Sequence, residues 1–160
     1  MLRKKVLLIG DFGVGKTSLI RRYIDNTFSD KYHTTIGVKI SRKTLTINNI
    51  ECEMLIWDIE GATPAKSIPH SYFKGASGAI FVCDISRGQT INDINDHIDN
   101  FLSINPDAKF VTAYNKVDLL NMRQKEALLE KLPDKEFLTS AKENENVSNL
   151  FETLAKEMVL

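Results

Sequence analysis

A glycine-rich octapeptide with a single lysine lies near the amino terminus of this 160-residue chain. It runs from Gly10 to Thr17 as Gly-Asp-Phe-Gly-Val-Gly-Lys-Thr and matches the phosphate-loop pattern G-x-x-x-x-G-K-[ST]. Glycines let such a loop turn its backbone N–H groups toward phosphate oxygens, while Lys16 adds a positive charge and Thr17 a hydroxyl suited to Mg²⁺. The residues that we expect to bind phosphate are Asp11, Phe12, Gly13, Val14, Gly15, Lys16, Thr17 and Ser18.

A second constellation, in the carboxyl-terminal half, suits a purine base. Asn115-Lys116-Val117-Asp118 follows an apolar run, and the Asp118 carboxylate matches the N1–H and exocyclic amine of guanine, whereas adenine presents an acceptor at N1. The Lys116 stem is long enough to cover the base, and Ala141 offers a backbone N–H to the guanine oxygen. Taken alone, such a loop is as well explained by a solvated turn. With the phosphate loop, it predicts guanine binding by Asn115, Lys116, Asp118, Ser140, Ala141 and Lys142.

Nearly continuous apolar runs are the elements that must position these loops. Continuity, rather than alternation, is typical of parallel strands that are covered on both faces. The runs are Val6–Ile9, Met54–Trp57, Ala79–Cys83 and Phe110–Tyr114. Because ligands bind beyond the carboxyl ends of parallel strands, the residues after the runs should share one sheet edge. Those residues are Gly10, Asp58, Asp84 and Asn115.

Amphipathic helical patterns separate the apolar runs, beginning near Leu19, Ile91, Leu128 and Val147. Thr90 and Asp93 have the spacing of a capping box, and Asn146 is placed to cap the last helix.

A β-hairpin is predicted after the first helical pattern. Val38–Ile47 turns at Asn48-Asn49 into Ile50–Trp57, and its interspersed cations are typical of an exposed edge strand. The sheet is therefore mixed. Because the chain has no repeat or linker, we expect one domain spanning residues 1–160. The predicted fold is a three-layer α/β arrangement with a six-stranded, mostly parallel sheet flanked by helices.

Composition and charge are those of an ordinary globular protein and limit its partners. Lys plus Arg equals Asp plus Glu, at 21 each, so no broad field favours nucleic acid or an acidic membrane. Cys52 and Cys83 lie in apolar stretches without metal-ligand spacing, so we expect buried, reduced thiols in a cytoplasmic protein. No membrane span, secretory signal or carboxyl-terminal lipidation cysteine is apparent. We expect a monomer with no direct lipid anchor, whose recruitment to a membrane would need a partner.

Together these motifs resemble those of the Ras superfamily of small GTPases, closest to its Rab branch, over essentially the whole chain. The resemblance implies that Phe28 leans on the guanine, Tyr32 lies over the phosphates, and Thr35 closes a first switch loop onto Mg²⁺ and the γ-phosphate. It also implies a second switch loop at Asp58-Ile59-Glu60-Gly61, in which Asp58 reaches Mg²⁺ through water and the Gly61 N–H donates to the γ-phosphate. GTP, GDP and Mg²⁺ are the implied ligands, and the implied catalytic residues are Lys16, Thr35 and Gly61.

The likeness to the Rab branch rests on three segments. They are Thr35-Ile36-Gly37-Val38, Trp57-Asp58, and Ser71-Tyr72-Phe73-Lys74-Gly75-Ala76. The resemblance implies effector proteins that read the switch loops, together with an exchange factor and an activating protein. The implied effector surface is Ile36, Gly37, Ile40, Trp57 and Tyr72, with Ile40 where an aromatic residue is usual. Packing of Trp57 and Tyr72 against the sheet explains those two aromatics equally well.

Two positions depart from the family pattern. Ala62 replaces the glutamine that orients the attacking water, and a loss of this kind costs roughly 10² to 10³ in rate, so we expect slow intrinsic hydrolysis. Phe12 replaces a small residue near the γ-phosphate, where its ring could obstruct an arginine from an activating protein. Alternatively, Phe12 folds away and Glu60, Thr63 or a partner positions the water. The rival to a slow GTPase is a GTP-binding interaction module that does not hydrolyse.

Overall fold

The computed structural model describes residues 1–31 and 34–160. Its strands are β1 (Leu2–Gly10), β2 (Val38–Ile47), β3 (Ile50–Ile59), β4 (Gly78–Asp84), β5 (Lys109–Asn115) and β6 (Glu136–Leu138). Its helices are α1 (Lys16–Asp25), α2 (Gly88–Asn92), α3 (Ile94–Ile104), α4 (Met122–Lys131) and α5 (Val147–Val159). Short 3-10 turns cover His70–Tyr72 and Val117–Leu119.

One six-stranded sheet in the order β2-β3-β1-β4-β5-β6 organises the described residues. Every neighbouring pair is parallel except β2 and β3, which form an antiparallel hairpin at one edge. Asn48 and Asn49 take φ values of 50° and 66° at the hairpin tip, as a two-residue turn with the matching twist requires. The predicted mixed sheet, hairpin and edge strand are confirmed.

The continuous apolar run of β1 is explained by cores on both faces of the sheet. Val6 and Leu8 pack into a cluster with the apolar faces of α1 and α5, whereas Leu7 and Ile9 pack into a cluster with α3. All four side chains are fully buried, and burial of each stabilises the fold by about 1.5–3 kcal/mol. β1 therefore holds the phosphate loop at the centre of a rigid three-layer body.

The strand register brings the predicted polar residues to one edge. Leu8 is opposite Asp58 across β1 and β3, and Asp84 is opposite Asn115 across β4 and β5. Gly15, with φ 101°, then turns the chain into α1. Only glycine fits at this turn, since a Cβ would lie 2.3 Å from the Asn115 Nδ2.

Some details of the helices differ from the sequence predictions. The pattern from Ile91 is interrupted at Asp93, which divides it into α2 and α3. Thr90 does not cap a helix with Asp93, because its hydroxyl donates to the Arg87 carbonyl at 2.7 Å and accepts from the Asp84 N–H at 2.9 Å. Asn146 precedes α5, but its side-chain amide donates to the Leu138 carbonyl rather than accepting from the helix.

Helix α4 also differs, because its leucines do not form a buried face. None of its side chains is buried, and a capping box between Asn121 and Gln124 supports its first turn instead. Among the described residues, no helix has the length and apolar character needed to cross a bilayer.

Candidate nucleotide-binding site

A cleft of about 290 Å³ opens at the carboxyl edge of the sheet. Its walls include these predicted site residues: Phe12, Gly13, Gly15, Lys16, Thr17, Ser18, Phe28, Thr35, Gly61, Asn115, Lys116, Asp118, Ala141 and Lys142. The walls also include residues that the sequence did not single out: Ser29, Asp30, Lys31, Ile59 and Leu119. Four predicted residues lie behind the walls, namely Asp11, Val14, Asp58 and Ser140, and Tyr32 lies outside the described residues.

Lys16 places a buried ammonium group beneath the phosphate loop. Its Nζ lies 3.4 Å from the Gly10 carbonyl oxygen and 3.3 Å from that of Asp11. Burial lowers the pKa of Lys16 to about 8, although the carboxylates of Asp58 and Asp11 oppose that shift. A phosphate dianion in the cleft would stabilise the charged form of this lysine.

The two sequence motifs are joined by direct hydrogen bonds. Asn115 Nδ2 donates to the Val14 carbonyl at 3.0 Å, and Lys116 Nζ donates to the Gly13 carbonyl at 2.9 Å. Lys116 also lies 3.0 Å from Asp84 Oδ2. Burial raises the pKa of Asp84, but hydrogen bonds from Ser86 and Lys116 outweigh it, and the net pKa is lowered. Asp84 therefore remains a carboxylate that anchors Lys116 across the loop.

The loop expected to bind guanine is held from several sides. The Ser140 hydroxyl donates to Asp118 Oδ1 at 2.7 Å, which orients the carboxylate at the cleft. Arg22 of α1 donates to the carbonyls of Ala141 at 2.7 Å and Lys142 at 2.9 Å. Phe28 is half-buried against the core and also lines the cleft, a position that leaves part of its ring for a base.

Oxygen atoms from three distant segments converge at the position expected for a cation. Thr17 Oγ1 donates to Asp58 Oδ2 at 2.7 Å and lies 2.6 Å from Thr35 Oγ1, and Thr35 Oγ1 lies 3.3 Å from the same Asp58 oxygen. Burial raises the pKa of Asp58. Among the described residues, the buried Asp58 Oδ1 has no hydrogen-bond partner. Hydroxyl and carboxylate oxygens are ligands that Mg²⁺ prefers, so this donor set fits it.

The segment after β3 forms a short ladder with the phosphate loop. The Ala62 N–H donates to the Gly10 carbonyl at 3.1 Å, and the Phe12 N–H donates to the Ala62 carbonyl at 2.9 Å. Gly61 is pressed against the loop, because a Cβ there would lie 2.5 Å from the Phe12 Cα. The neighbouring Glu60 N–H donates to the Gly37 carbonyl at 2.8 Å, which links the two switch loops.

The two departures from the family pattern both lie at this ladder. Ala62 contributes a methyl group where the family has an amide, and its backbone groups are engaged by the phosphate loop. Phe12 is 39% exposed and lines the cleft. The Glu60 carboxylate is paired with Lys66 at 2.9 Å, and this pairing lowers the pKa of Glu60.

The predicted effector surface lies beside the ladder. Ile36 and Ile40 are exposed, and Trp57 contacts Tyr72 with ring centroids 6.4 Å apart. Lys5 Nζ lies 3.8 Å from the centroid of the Trp57 ring, a cation–π geometry. The two aromatic rings are half-buried, so they both pack on the sheet and leave part of their surface to solvent.

Several residues that shape the site were missed by the sequence analysis. Thr139 donates to Asn115 Oδ1 at 3.1 Å, which fixes the orientation of that amide. Arg22 braces the guanine loop, Arg87 Nη1 donates to the Phe12 carbonyl at 2.8 Å, and His97 Nε2 lies 2.9 Å from Asp11 Oδ1. No motif marks these four, because each acts through a backbone or side-chain partner far away in the sequence.

The Ras family model matches residues 5–160 of the chain. The chain belongs to the Ras family. It is 34% identical over 163 residues to Ras-related protein SEC4 of Saccharomyces cerevisiae, a comparison that covers 95% of this chain and 73% of SEC4. It is 33% identical to Ras-related protein RABE1d of Arabidopsis thaliana, with 96% and 74% covered. Ras-related protein Rab-7a of Dictyostelium discoideum is 35% identical, with 97% and 82% covered. The chain is thus a Rab-like small GTPase, and proteins of this family bind GTP and GDP with Mg²⁺.

Proposed function

We propose that residues 1–160 form a single GTPase domain that switches between GTP and GDP and hydrolyses GTP slowly without a partner. One observation carries the switching proposal: the phosphate loop and the Asp118 carboxylate line the same cleft. The slow rate rests on Ala62, which has no polar side-chain atom and whose backbone N–H and carbonyl bond to the phosphate loop. Ala62 therefore offers no group to orient an attacking water.

The phosphates are assigned to the loop and its lysine. The proposed phosphate site consists of Asp11, Phe12, Gly13, Val14, Gly15, Lys16, Thr17 and Ser18, with Tyr32 lying over it. Phe12 contributes its place in the loop and its ring, because its own N–H donates to the Ala62 carbonyl. The Lys16 ammonium pairs with the β- and γ-phosphates and stabilises the charge that develops on them as the bond to γ-phosphorus breaks. In the γ-phosphate state, the Gly61 N–H donates to that group and Thr35 closes over it.

Guanine is assigned to the opposite end of the cleft. The Asp118 carboxylate accepts from the base, and its position is supported by the Ser140 hydroxyl. The Lys116 stem and Phe28 cover the two faces of the ring, and the Ala141 N–H donates to the guanine oxygen. The proposed guanine set is Phe28, Asn115, Lys116, Asp118, Ser140, Ala141 and Lys142.

Thr17, Thr35 and Asp58 would hold Mg²⁺, with Asp58 acting through water. When bound, Mg²⁺ neutralises phosphate charge. The unpartnered Asp58 Oδ1 supports this assignment, since a buried carboxylate oxygen requires a cation or a donor. In hydrolysis, the water oxygen bonds to the γ-phosphorus as the bond to the bridging oxygen breaks, and the water protons pass to the products. Lys16, Thr35 and Gly61 are the proposed catalytic residues.

The second candidate function is a GTP-binding module that does not hydrolyse. Phe12 favours this function, because this residue is 39% exposed and lines the cleft. At that position the ring could obstruct an arginine from an activating protein. Single-turnover hydrolysis of preloaded Mg²⁺·GTP separates the two functions. A measurable rate for the wild type supports the slow GTPase, whereas GTP retained for hours supports the binding module.

Replacement of Ala62 by glutamine tests the reason proposed for the slow rate. We expect Ala62→Gln to raise the single-turnover rate by roughly 10² to 10³. Ala65→Gln is the matched control, because Ala65 is exposed three residues further along the same loop. An unchanged rate in Ala62→Gln would count against the explanation that hydrolysis is slow because no side chain at position 62 orients the attacking water.

We also propose effector proteins, an exchange factor and an activating protein as partners. The surface of Ile36, Gly37, Ile40, Trp57 and Tyr72 supports effector binding, since it is partly apolar and adjoins both switch loops. A role in vesicle trafficking, a monomeric state and membrane recruitment through a protein partner belong to the same proposal. Alanine at Ile40, which is 49% exposed, should weaken effector capture and leave GTP binding intact.

A further inference from the structure

Three consecutive carbonyl groups of the phosphate loop are each held by a side-chain donor. Arg87 Nη1 donates to the Phe12 carbonyl at 2.8 Å, Lys116 Nζ to that of Gly13 at 2.9 Å, and Asn115 Nδ2 to that of Val14 at 3.0 Å. Lys116 and Asn115 come from the guanine motif. Arg87 is different, since it comes from the segment between β4 and α2 and belongs to no motif.

Peptide planarity converts these contacts into a constraint on the amide groups. In a trans peptide, the C=O and the following N–H point in opposite directions. A donor that holds the Phe12 carbonyl on the outer side of the loop therefore turns the Gly13 N–H toward the inner side. Gly13 lines the cleft, so this N–H is one of the groups available to phosphate.

We propose that Arg87 is a positioning residue for phosphate binding, which fixes the Gly13 amide through the Phe12 carbonyl. The inference rests on the proposed function, because it assigns the loop to phosphate. Arg87 does not line the cleft, so it acts from behind the loop. Loops with glycine at φ 77°, as at Gly13, have alternative peptide orientations within easy reach, and a bound carbonyl removes that freedom.

A second contact anchors the same loop to the neighbouring helix. His97 Nε2 of α3 lies 2.9 Å from Asp11 Oδ1, and both side chains are largely buried. Asp11 immediately precedes Phe12, so the stretch from Arg87 to α3 holds two successive residues of the loop, one by its side chain and one by its carbonyl. The His97 contact holds Asp11 against α3. The Arg87 contact acts on the next peptide group and sets the orientation of the Phe12 carbonyl.

Release of bound nucleotide from Arg87 variants is the test. Arg87→Ala, Arg87→Lys and the control Arg123→Ala are loaded with GDP or GTP. Two properties are measured for each variant: the rate at which the nucleotide dissociates, and the ³¹P chemical shift of the bound β-phosphate. Arg123 is an exposed arginine of α4 that does not line the cleft. Thermal melting with excess GDP checks that each variant folds.

We expect Arg87→Ala to release GDP and GTP about three- to tenfold faster, the loss expected for one solvent-exposed hydrogen bond of ordinary net strength. The β-phosphate resonance should move in Arg87→Ala, return most of the way in Arg87→Lys, and stay in place in Arg123→Ala. A merely structural arginine would lower the melting temperature without moving the resonance, and that result would overturn the inference.

The outcomes separate this inference from the proposed function. A wild type that binds no guanine nucleotide would overturn both. A wild type that binds GDP normally, with Arg87→Ala matching it in release rate and resonance, would overturn the inference alone. If Arg87→Ala fails to fold, Arg87→Gln, which retains a donor amide on a shorter side chain, gives the same comparison with a smaller expected change.

Discussion

Gly61→Ala should separate the affinities for GTP and GDP. The added Cβ would lie 2.5 Å from the Phe12 Cα and 2.7 Å from the Phe12 nitrogen, and both are backbone atoms that cannot rotate away. Gly61 does not occupy the positive-φ region, so the cost comes from contact rather than backbone strain. The alanine must therefore push the segment after β3 away from the phosphate loop.

The size of the effect follows from the γ-phosphate contact that this displacement breaks. The ladder bonds from Ala62 to Gly10 and from Phe12 to Ala62 hold the Gly61 N–H at the loop, and a hydrogen bond from that N–H to a charged phosphate contributes about 1.5–3 kcal/mol. Its loss weakens GTP binding by roughly tenfold to 150-fold. GDP affinity should stay nearly constant, because the γ-phosphate contact of Gly61 is absent there.

Competitive titration of both nucleotides against a fluorescent GDP analogue measures this difference. Gly88→Ala is the matched control, since a Cβ on Gly88 meets nothing within 4 Å and its φ lies outside the positive region. Equal GTP affinities for Gly61→Ala and the wild type would refute the reasoning, as would an equal loss for GTP and GDP.

Three further predictions concern the base, its supporting network and the thiols. Asp118→Asn should weaken GDP binding by about a hundredfold by calorimetry, because an amide cannot accept both guanine donors; unchanged affinity would exclude the assigned role. Thr139→Val removes the hydroxyl that donates to Asn115, so the rate of GDP release should rise about fivefold. An unchanged release rate would show that Thr139 does not hold the Asn115 amide in place. Burial raises the pKa of Cys83 to about 12 and also raises that of Cys52, which lowers their thiolate fractions. Both should resist a thiol reagent at pH 8 in the native protein and react after denaturation; rapid native reaction would contradict their burial.

The sheet could be predicted from the sequence because its signals are local. A continuous apolar run such as Val6–Ile9 requires cover on both faces, and the structure provides it. Asn48-Asn49 specifies a tight hairpin turn by its tolerance of positive φ. The glycine and lysine pattern of the phosphate loop is equally local, since each of its residues acts close to its own position.

Side-chain partners were harder to predict because they depend on distant segments. Asn146 has the residue type of a helix cap, but β6 offers it the Leu138 carbonyl instead. Leu129 fits an apolar helical stripe and remains 53% exposed, since periodicity does not say whether another element covers the face. Arg87 and Thr139 carry no motif, because their contacts with the site arise only when the strand ends meet.

The central claim, a guanine-nucleotide switch, is tested most directly by the nucleotide that the protein carries. The purified protein is denatured, and the released nucleotide is identified by chromatography; protein reloaded with Mg²⁺·GTP is then followed as GTP becomes GDP, with ATP as a competitor. The account predicts GDP or GTP at about one per chain, no displacement by ATP, and slow conversion of GTP to GDP. Release of an adenine nucleotide, or displacement of GTP by equimolar ATP, would contradict it.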